Sequence, residues 1–170
     1  MAHKIYCGCD NGTTGTIACV GECGSHFIET PIIKEQSYTK AKKIISRIDH
    51  LSLKQWFLDI MGETFKPSDI IVAIERPMIN PMRFQASVSA ARSLEATLCV
   101  IEDLGIPHFY VDSKSWQTKM LPKGVQGSAE LKKASMDIGL RLFPDHESVI
   151  RKHKDADGLL IAEWASREHL

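Results

Sequence analysis

Hydrophobic and polar positions divide the chain into segments with two different periods. Lys4 to Asp10 (KIYCGCD) is apolar almost throughout and predicts a buried first strand that stops at Asn11-Gly12. Thr14 to Val20 (TGTIACV) returns as a second strand, and an Asn-Gly pair between two such runs predicts a tight hairpin. After a turn over Gly21 to Gly24, His26 to Ile33 reads as a third strand; Pro31 near its end suits a sheet edge. From Tyr38 to Phe65 the spacing becomes helical. Ile44, Ile45 and Ile48 precede Leu53, Trp56, Phe57, Ile60 and Met61, with a break at Asp49 to Ser52.

Ile70 to Ile74 (IIVAI) is short and wholly apolar, the pattern of a central strand in a sheet covered on both faces, and Glu75 ends it. A polar loop leads to a long helix over Phe84 to Leu104, with alanine and serine along one side and Gly105 as its stop. His108 to Val111 is a fifth strand, and helices are predicted over Lys114 to Met120, Ser128 to Leu142 and Asp155 to Arg167. This order predicts an α/β fold. Three antiparallel strands and two crossover units form a mixed five-stranded sheet with helices on both faces.

Composition adds little to that picture. A length of 170 residues, 44% hydrophobic and 25% charged, predicts one globular domain over residues 1–170 that buries its core without staples. No apolar run is long enough to cross a bilayer, so no membrane partner is expected, and the N-terminus lacks the apolar region of a signal peptide. An intracellular location is expected. Five cysteines (Cys7, Cys9, Cys19, Cys23, Cys99) then predict reduced thiols. Cys7 and Cys9 alternate within an apolar strand as small hydrophobes, which argues against a zinc site.

The 21 basic and 21 acidic residues cancel, so no global field announces a nucleic-acid partner. Their distribution is uneven. From Lys114 to Lys154 nine basic residues (Lys114, Lys119, Lys123, Lys132, Lys133, Arg141, Arg151, Lys152, Lys154) face four acids (Glu130, Asp137, Asp145, Glu147). That excess is a solvated face unless it borders the chemistry.

The candidate chemistry is carboxylate chemistry. Asp10 follows IYCGC and Glu75 follows IIVAI, both at strand ends in apolar surroundings, while Asp155 and Asp157 open the last helix in KHKDADGLLIAEWA. One such acid is ordinarily a cap or turn residue. Three such places in one small domain are costly unless a cation lies between the charges. Magnesium suits that role, since it takes hard oxygen ligands and keeps waters for a phosphate substrate.

Asp10-Asn11-Gly12, Ile74-Glu75-Arg76-Pro77 and Asp157-Gly158-Leu159-Leu160-Ile161-Ala162 resemble, in order and spacing, the acidic motifs of RuvC-type Holliday junction resolvases, in a phage- or organelle-like variant of the RNase H superfamily. Ser115-Trp116-Gln117 and Lys132-Lys133-Ala134-Ser135 through Leu142-Phe143-Pro144 resemble the family's linking segments, so the likeness spans nearly the whole chain. It implies an RNase H-like fold, a homodimer, a four-way branched DNA substrate and the cytoplasm of a bacterial or phage-infected cell, with an organelle matrix as the less favoured alternative. It also implies two magnesium ions about 4 Å apart, with manganese able to substitute, bridged by Asp10 and held by Glu75 and Asp157. The family places a carboxylate or histidine three residues before the last aspartate, where this chain has Lys154. The fourth ligand is then Asp155 or, as the alternative, His153.

Lys119, Lys132, Lys133 or Lys154 would stabilise charge on the phosphate, and Lys123 and Arg83 join them as DNA-binding candidates. Phe84 is a candidate wedge at the branch point, or else a core residue starting its helix. Other readings stand beside this one. They are an RNase H or ribosomal-RNA-processing nuclease, a non-catalytic DNA-binding module, and an ATP-binding domain of the actin-like and sugar-kinase superfamily, which Asp10 to Gly15 also resembles.

Overall fold

The first strand sets the architecture. In the computed structural model, which describes residues 4–168, Ile5–Cys9 (β1) is buried along its whole length. Thr16–Gly21 (β2) and Gly24–Glu29 (β3) follow it as an antiparallel meander. Ile32–Gln36 (β4) and Ile44–Ile48 (β5) form a separate two-stranded hairpin. After helix His50–Met61 (α1), Ile70–Glu75 (β6) pairs with β1 in parallel. Helix Phe84–Asp103 (α2) leads to His108–Val111 (β7), parallel to β6. The chain closes through Ser113–Met120 (α3), Ser128–Leu142 (α4), Glu147–His153 (α5) and Asp157–Glu168 (α6). Spatial order in the main sheet is β3-β2-β1-β6-β7, the expected three antiparallel and two parallel strands.

Strand alternation sends two sets of side chains to two cores. Ile5, Cys7, Cys9, Val72 and Ile74 pack with Leu53 and Phe57 of α1 and Val100 and Ile101 of α2. Tyr6, Ala18 and Ala73 face the other way, onto Trp116 of α3, Ile150 of α5 and the apolar stripe of α6. Helices thus cover both faces, which is why β1 and β6 read as continuous apolar runs. Among the described residues no helix is long and apolar enough to cross a membrane.

Several local expectations are corrected. Ile44, Ile45 and Ile48 lie on β5, not on a helix, and only the segment from His50 onward is helical. The third strand ends at Glu29, and Pro31 separates it from β4 instead of lying within it. Residues 10–15 join β1 to β2 as a wider loop than a two-residue Asn-Gly hairpin; Gly15 N–H donates to Gly12 O inside it. Helix α5 was not anticipated, and α6 starts at Asp157 rather than Asp155. Cys7 and Cys19 are joined by a disulfide, which corrects the expectation of reduced thiols for that pair. Their register explains it: they lie directly opposite across the β1–β2 ladder, with Cα atoms 4.0 Å apart. Cys9, Cys23 and Cys99 are free.

Helix α6 lies directly on β1, and glycine makes that approach possible. A β-carbon on Gly8 would stand 2.3 Å from Gly158 O and 2.4 Å from Ala162 N, both backbone atoms that cannot swing aside. On Gly158 it would meet Thr16 O at 2.9 Å, and the Gly158 N–H already donates to Thr16 Oγ1 at 3.0 Å. Gly8→Ala must therefore push α6 off the sheet, at a cost of about 3 kcal/mol for an overpacked core site. Urea unfolding of the variant will show a lower midpoint at unchanged m-value; an unchanged midpoint would contradict this packing.

Candidate metal centre

Register places the acids before any long-range contact is considered. Cys9 pairs with Ile74, so Asp10 and Glu75 emerge side by side at the C-terminal ends of adjacent parallel strands. Parallel strands end together at one edge of a sheet, the usual location of a site in open α/β folds. Helix α6 brings the remaining acids there because it begins at Asp157 and docks on β1 along Gly8. Carboxylate oxygens of Asp10, Asp155 and Asp157 all lie within 4.8 Å of one another. Glu75 lies beside them on β6 and is held through Oε1, which accepts the indole N–H of buried Trp116 at 2.9 Å.

Each neighbour has an electrostatic consequence. Burial pushes the Asp10 carboxyl well above the usual carboxylate range, and the charges of Asp157, Glu75 and Asp155 push it further. Burial likewise raises Asp157 to about 7, reinforced by the charge of Asp155 and opposed by a hydrogen bond from Ser135 Oγ. The same Ser135 Oγ accepts the Ala156 N–H at 3.0 Å, so one hydroxyl fixes both the turn and the Asp157 carboxylate that follows it. Asp155 is fully buried, and Lys132 Nζ meets its Oδ2 at 3.0 Å. That bond holds the Lys132 ammonium above its ordinary pKa. His153 Nε2 lies 3.6 Å from the same Asp155 oxygen and is buried without a hydrogen-bond partner, while His153 Nδ1 lies 3.5 Å from Glu29.

The donor set fits a divalent cation. Hard oxygens converge, their mutual repulsion raises their proton affinity, and a buried imidazole nitrogen stands unused beside them. An open groove of about 880 Å³ runs from this cluster between α3 and α4, lined by Arg76, Met78, Ser115, Gln117, Lys132 and Asp157. Arg76 is held at its rim by Asp112 (3.1 Å) and lies over the Tyr110 ring (5.3 Å).

The basic candidates separate. Lys132 is the one that touches the carboxylates; Lys119 turns to Glu168 at 3.9 Å, and Lys133 lines a different cleft with Asp137 and Arg141. Lys123 lies on the loop after α3, and Lys154 caps α5 in the left-handed conformation at φ 71°, exposed. Arg83 and Phe84 stand exposed at the start of α2; at 67% exposure Phe84 is not a core residue. Sequence reasoning did not single out Ser135 or Trp116 as groups that orient the Asp157 and Glu75 carboxylates. Both fall inside segments it marked only as links between motifs, because a hydrogen bond across 41 or 22 positions leaves no local pattern.

No protein-family model and no curated protein matches the chain. Among solved structures, T. thermophilus RuvC in complex with a Holliday junction substrate is similar, with a TM-score of 0.55 and 18% identity over 96% of this chain and 93% of that one. A second structure of Thermus thermophilus RuvC matches at a TM-score of 0.46 and 14% identity, covering 96% of each chain. The first comparison establishes that this chain has the RuvC-type, RNase H-like fold.

The raised pKa values set a pH signature. Asp10 and Asp157 bind protons more tightly folded than unfolded. Their stabilisation is therefore fully present below the unfolded carboxylate pKa of about 4 and is lost as pH rises through about 7. Thermal unfolding of the metal-free protein will show the melting temperature falling across that window, and Asp157→Asn will flatten the slope. Magnesium, which binds the ionised form, will raise the melting temperature more at pH 8 than at pH 6. Equal shifts at both pH values would count against a carboxylate metal site.

Proposed function

We propose that this chain is a structure-selective endonuclease that resolves Holliday junctions and related branched DNA by metal-assisted phosphodiester hydrolysis, within a single domain. The observation that carries the reading is the convergence of Asp10, Asp155 and Asp157 within 4.8 Å at the strand-end edge of a RuvC-type fold, beside Glu75. The similar T. thermophilus structure is itself a complex with a Holliday junction substrate. Asp10, Glu75, Asp155 and Asp157 would hold two magnesium ions, with manganese able to substitute and His153 in reach of Asp155. Bound there, such ions supply Lewis acidity at the phosphoryl group and an ionised water as nucleophile.

The chain's own residues do the rest. Asp10 and Asp157, in their deprotonated forms, would be the oxygen ligands, held at the end of β1 and the start of α6. Trp116 and Ser135 keep Glu75 and Asp157 from rotating, which matters because a misplaced reacting group costs orders of magnitude in rate. Lys132, now the counter-charge of Asp155, is positioned to turn its ammonium to the phosphate as negative charge grows there. The groove beside Asp157 admits a backbone segment with Lys132 on its wall and Lys123 beyond. Met78 and Met82 on the segment after Glu75 and Phe84 at the start of α2 are exposed by 84%, 91% and 67%, apolar tips suited to the unstacked bases of a branch point. Two-fold junction symmetry and a single carboxylate cluster among the described residues call for a homodimer, with α2 as the candidate interface.

Asp10→Asn will abolish cleavage of a labelled four-way junction while leaving folding and junction binding intact. Cleavage is compared against linear duplex, RNA–DNA hybrid and RNA in magnesium. Near-full turnover by Asp10→Asn, or faster cutting of hybrid or RNA than of the junction, would refute the assignment. Sedimentation of the protein with an uncleaved junction will give two protomers per junction; a single protomer making uncoupled cuts would refute the dimer.

A further inference from the structure

The β4–β5 hairpin is not used by the site described above. It stands outside the main sheet, between the end of β3 and the start of α1. Its base is at the carboxylate edge. Strand β3 is antiparallel to β2, as β1 is, so Glu29 and Thr30 end at the same edge as Asp10. The Thr30 N–H donates to Gly15 O there, and Glu29 meets Lys152 at 3.0 Å beside His153. The hairpin is closed at its foot by the Asp49 N–H donating to Pro31 O at 2.9 Å. Five-residue strands then carry its tip roughly 17 Å from that foot.

Charge on this arm is one-sided in a chain whose total is zero. Residues 32–48 hold five basic side chains (Lys34, Lys40, Lys42, Lys43, Arg47) and one acid, Glu35. Glu35 is taken by Arg47 at 2.7 Å. Among the described residues no ion pair forms at Lys34, Lys40, Lys42 or Lys43, all exposed. The tip is ordered by its own bonds: Ser37 Oγ with Thr39 Oγ1 at 2.9 Å, and the Ser37 N–H donating to Lys43 O at 2.7 Å. Lys42 sits at φ 49°, an uncommon conformation for a residue with a side chain, held by its N–H bond to Thr39 O. Tyr38 projects among these lysines at 80% exposure. On the inner side, a cleft of about 260 Å³ between β5 and α2 is lined by Arg47, Arg92, Ser46, Ser89 and Ser93, with Glu95 its only carboxylate.

We infer that the β4–β5 hairpin is a second DNA-binding arm, which grips the phosphate backbone of a duplex arm next to the one cut at the carboxylates. This rests on the nuclease reading and adds a contact surface to it. A row of unpaired ammonium groups on a rigid protrusion matches the spaced negative charges of a duplex backbone and requires no particular base. The hairpin is separate from the basic run of Lys114 to Lys154, so the two surfaces contact different parts of the same branched substrate.

The test compares Lys40→Ala/Lys43→Ala with the charge-matched Lys4→Ala/Lys66→Ala, which lies before β1 and β6 at the opposite edge. Binding to a labelled four-way junction is titrated over a range of salt without divalent cation. The hairpin variant is expected to bind about tenfold more weakly, with a salt slope shallower by about 1.8 for two lost phosphate contacts. Lys40→Arg/Lys43→Arg and the opposite-edge variant should keep the wild-type slope. If the hairpin and opposite-edge variants match, the arm is overturned while the nuclease reading stands. A wild type that binds no branched or duplex DNA overturns both. A hairpin variant that loses affinity only because it sediments as a smaller species identifies a contact between copies, and that also overturns the arm.

Discussion

Helix α6 rests on β1 at backbone distance, and the carboxylate cluster depends on that contact. Asp10 extends one side of the joint and Asp157 opens the other, so their separation is fixed by how closely the two backbones approach. Gly8 sets that distance, because a β-carbon there would overlap the α6 backbone, and Gly158 lets the same helix end close on Thr16 of neighbouring β2. Thr16 locks the joint along its length by accepting the Gly158 N–H through Oγ1 while its own carbonyl accepts the Asp10 N–H. A packing constraint thus sets the spacing of the carboxylates. An additional methyl group at the joint would move Asp10 and Asp157 relative to each other.

Bringing those acids together opposes folding, and the structure offsets this by local means. Asp155, wholly out of water, has one ammonium group against it, and the Ser135 hydroxyl hydrogen-bonds Asp157. An unpaired buried charge is among the costliest defects a core can carry. Lys132 therefore serves the fold as the counter-ion of Asp155. The same side chain lines the open groove beside Asp157, so the ammonium that neutralises one carboxylate stands at the wall of the groove that another one lines.

What the sequence made legible follows from the range of the interactions involved. A buried parallel strand announces itself by composition, so β6 is legible to within a residue, the short aromatic and β-branched run of edge strand β7 is legible between two helical segments, and α2 and α4 are legible by their period. The hairpin was misread because Ile44, Ile45 and Ile48 have the one-then-three spacing of a helical face. Their β structure depends on pairing with residues 32–36, a partner that no local window contains. The Cys7–Cys19 bond was missed for the same reason: only register reveals that the two thiols are opposed. Asp10, Glu75, Asp155 and Asp157 stood out because acids at the ends of apolar runs are individually conspicuous. Trp116 and Ser135, which aim two of them, look like ordinary amphipathic-helix residues.

The placement of the basic hairpin follows from the same topology as the site. A meander whose first and third strands run the same way must end both at one edge, and β6 adds its own end there by parallel pairing. Whatever leaves the sheet at that edge stands beside the carboxylates: the loop after Glu75, the start of α6 and the hairpin after β3. The opposite edge holds Lys4 against Asp69 at 4.0 Å and no comparable cluster of acids among the described residues. Carboxylates and the foot of the basic hairpin are gathered at one end because strand direction puts them there, and α6 can reach that end only while Gly8 leaves room for it.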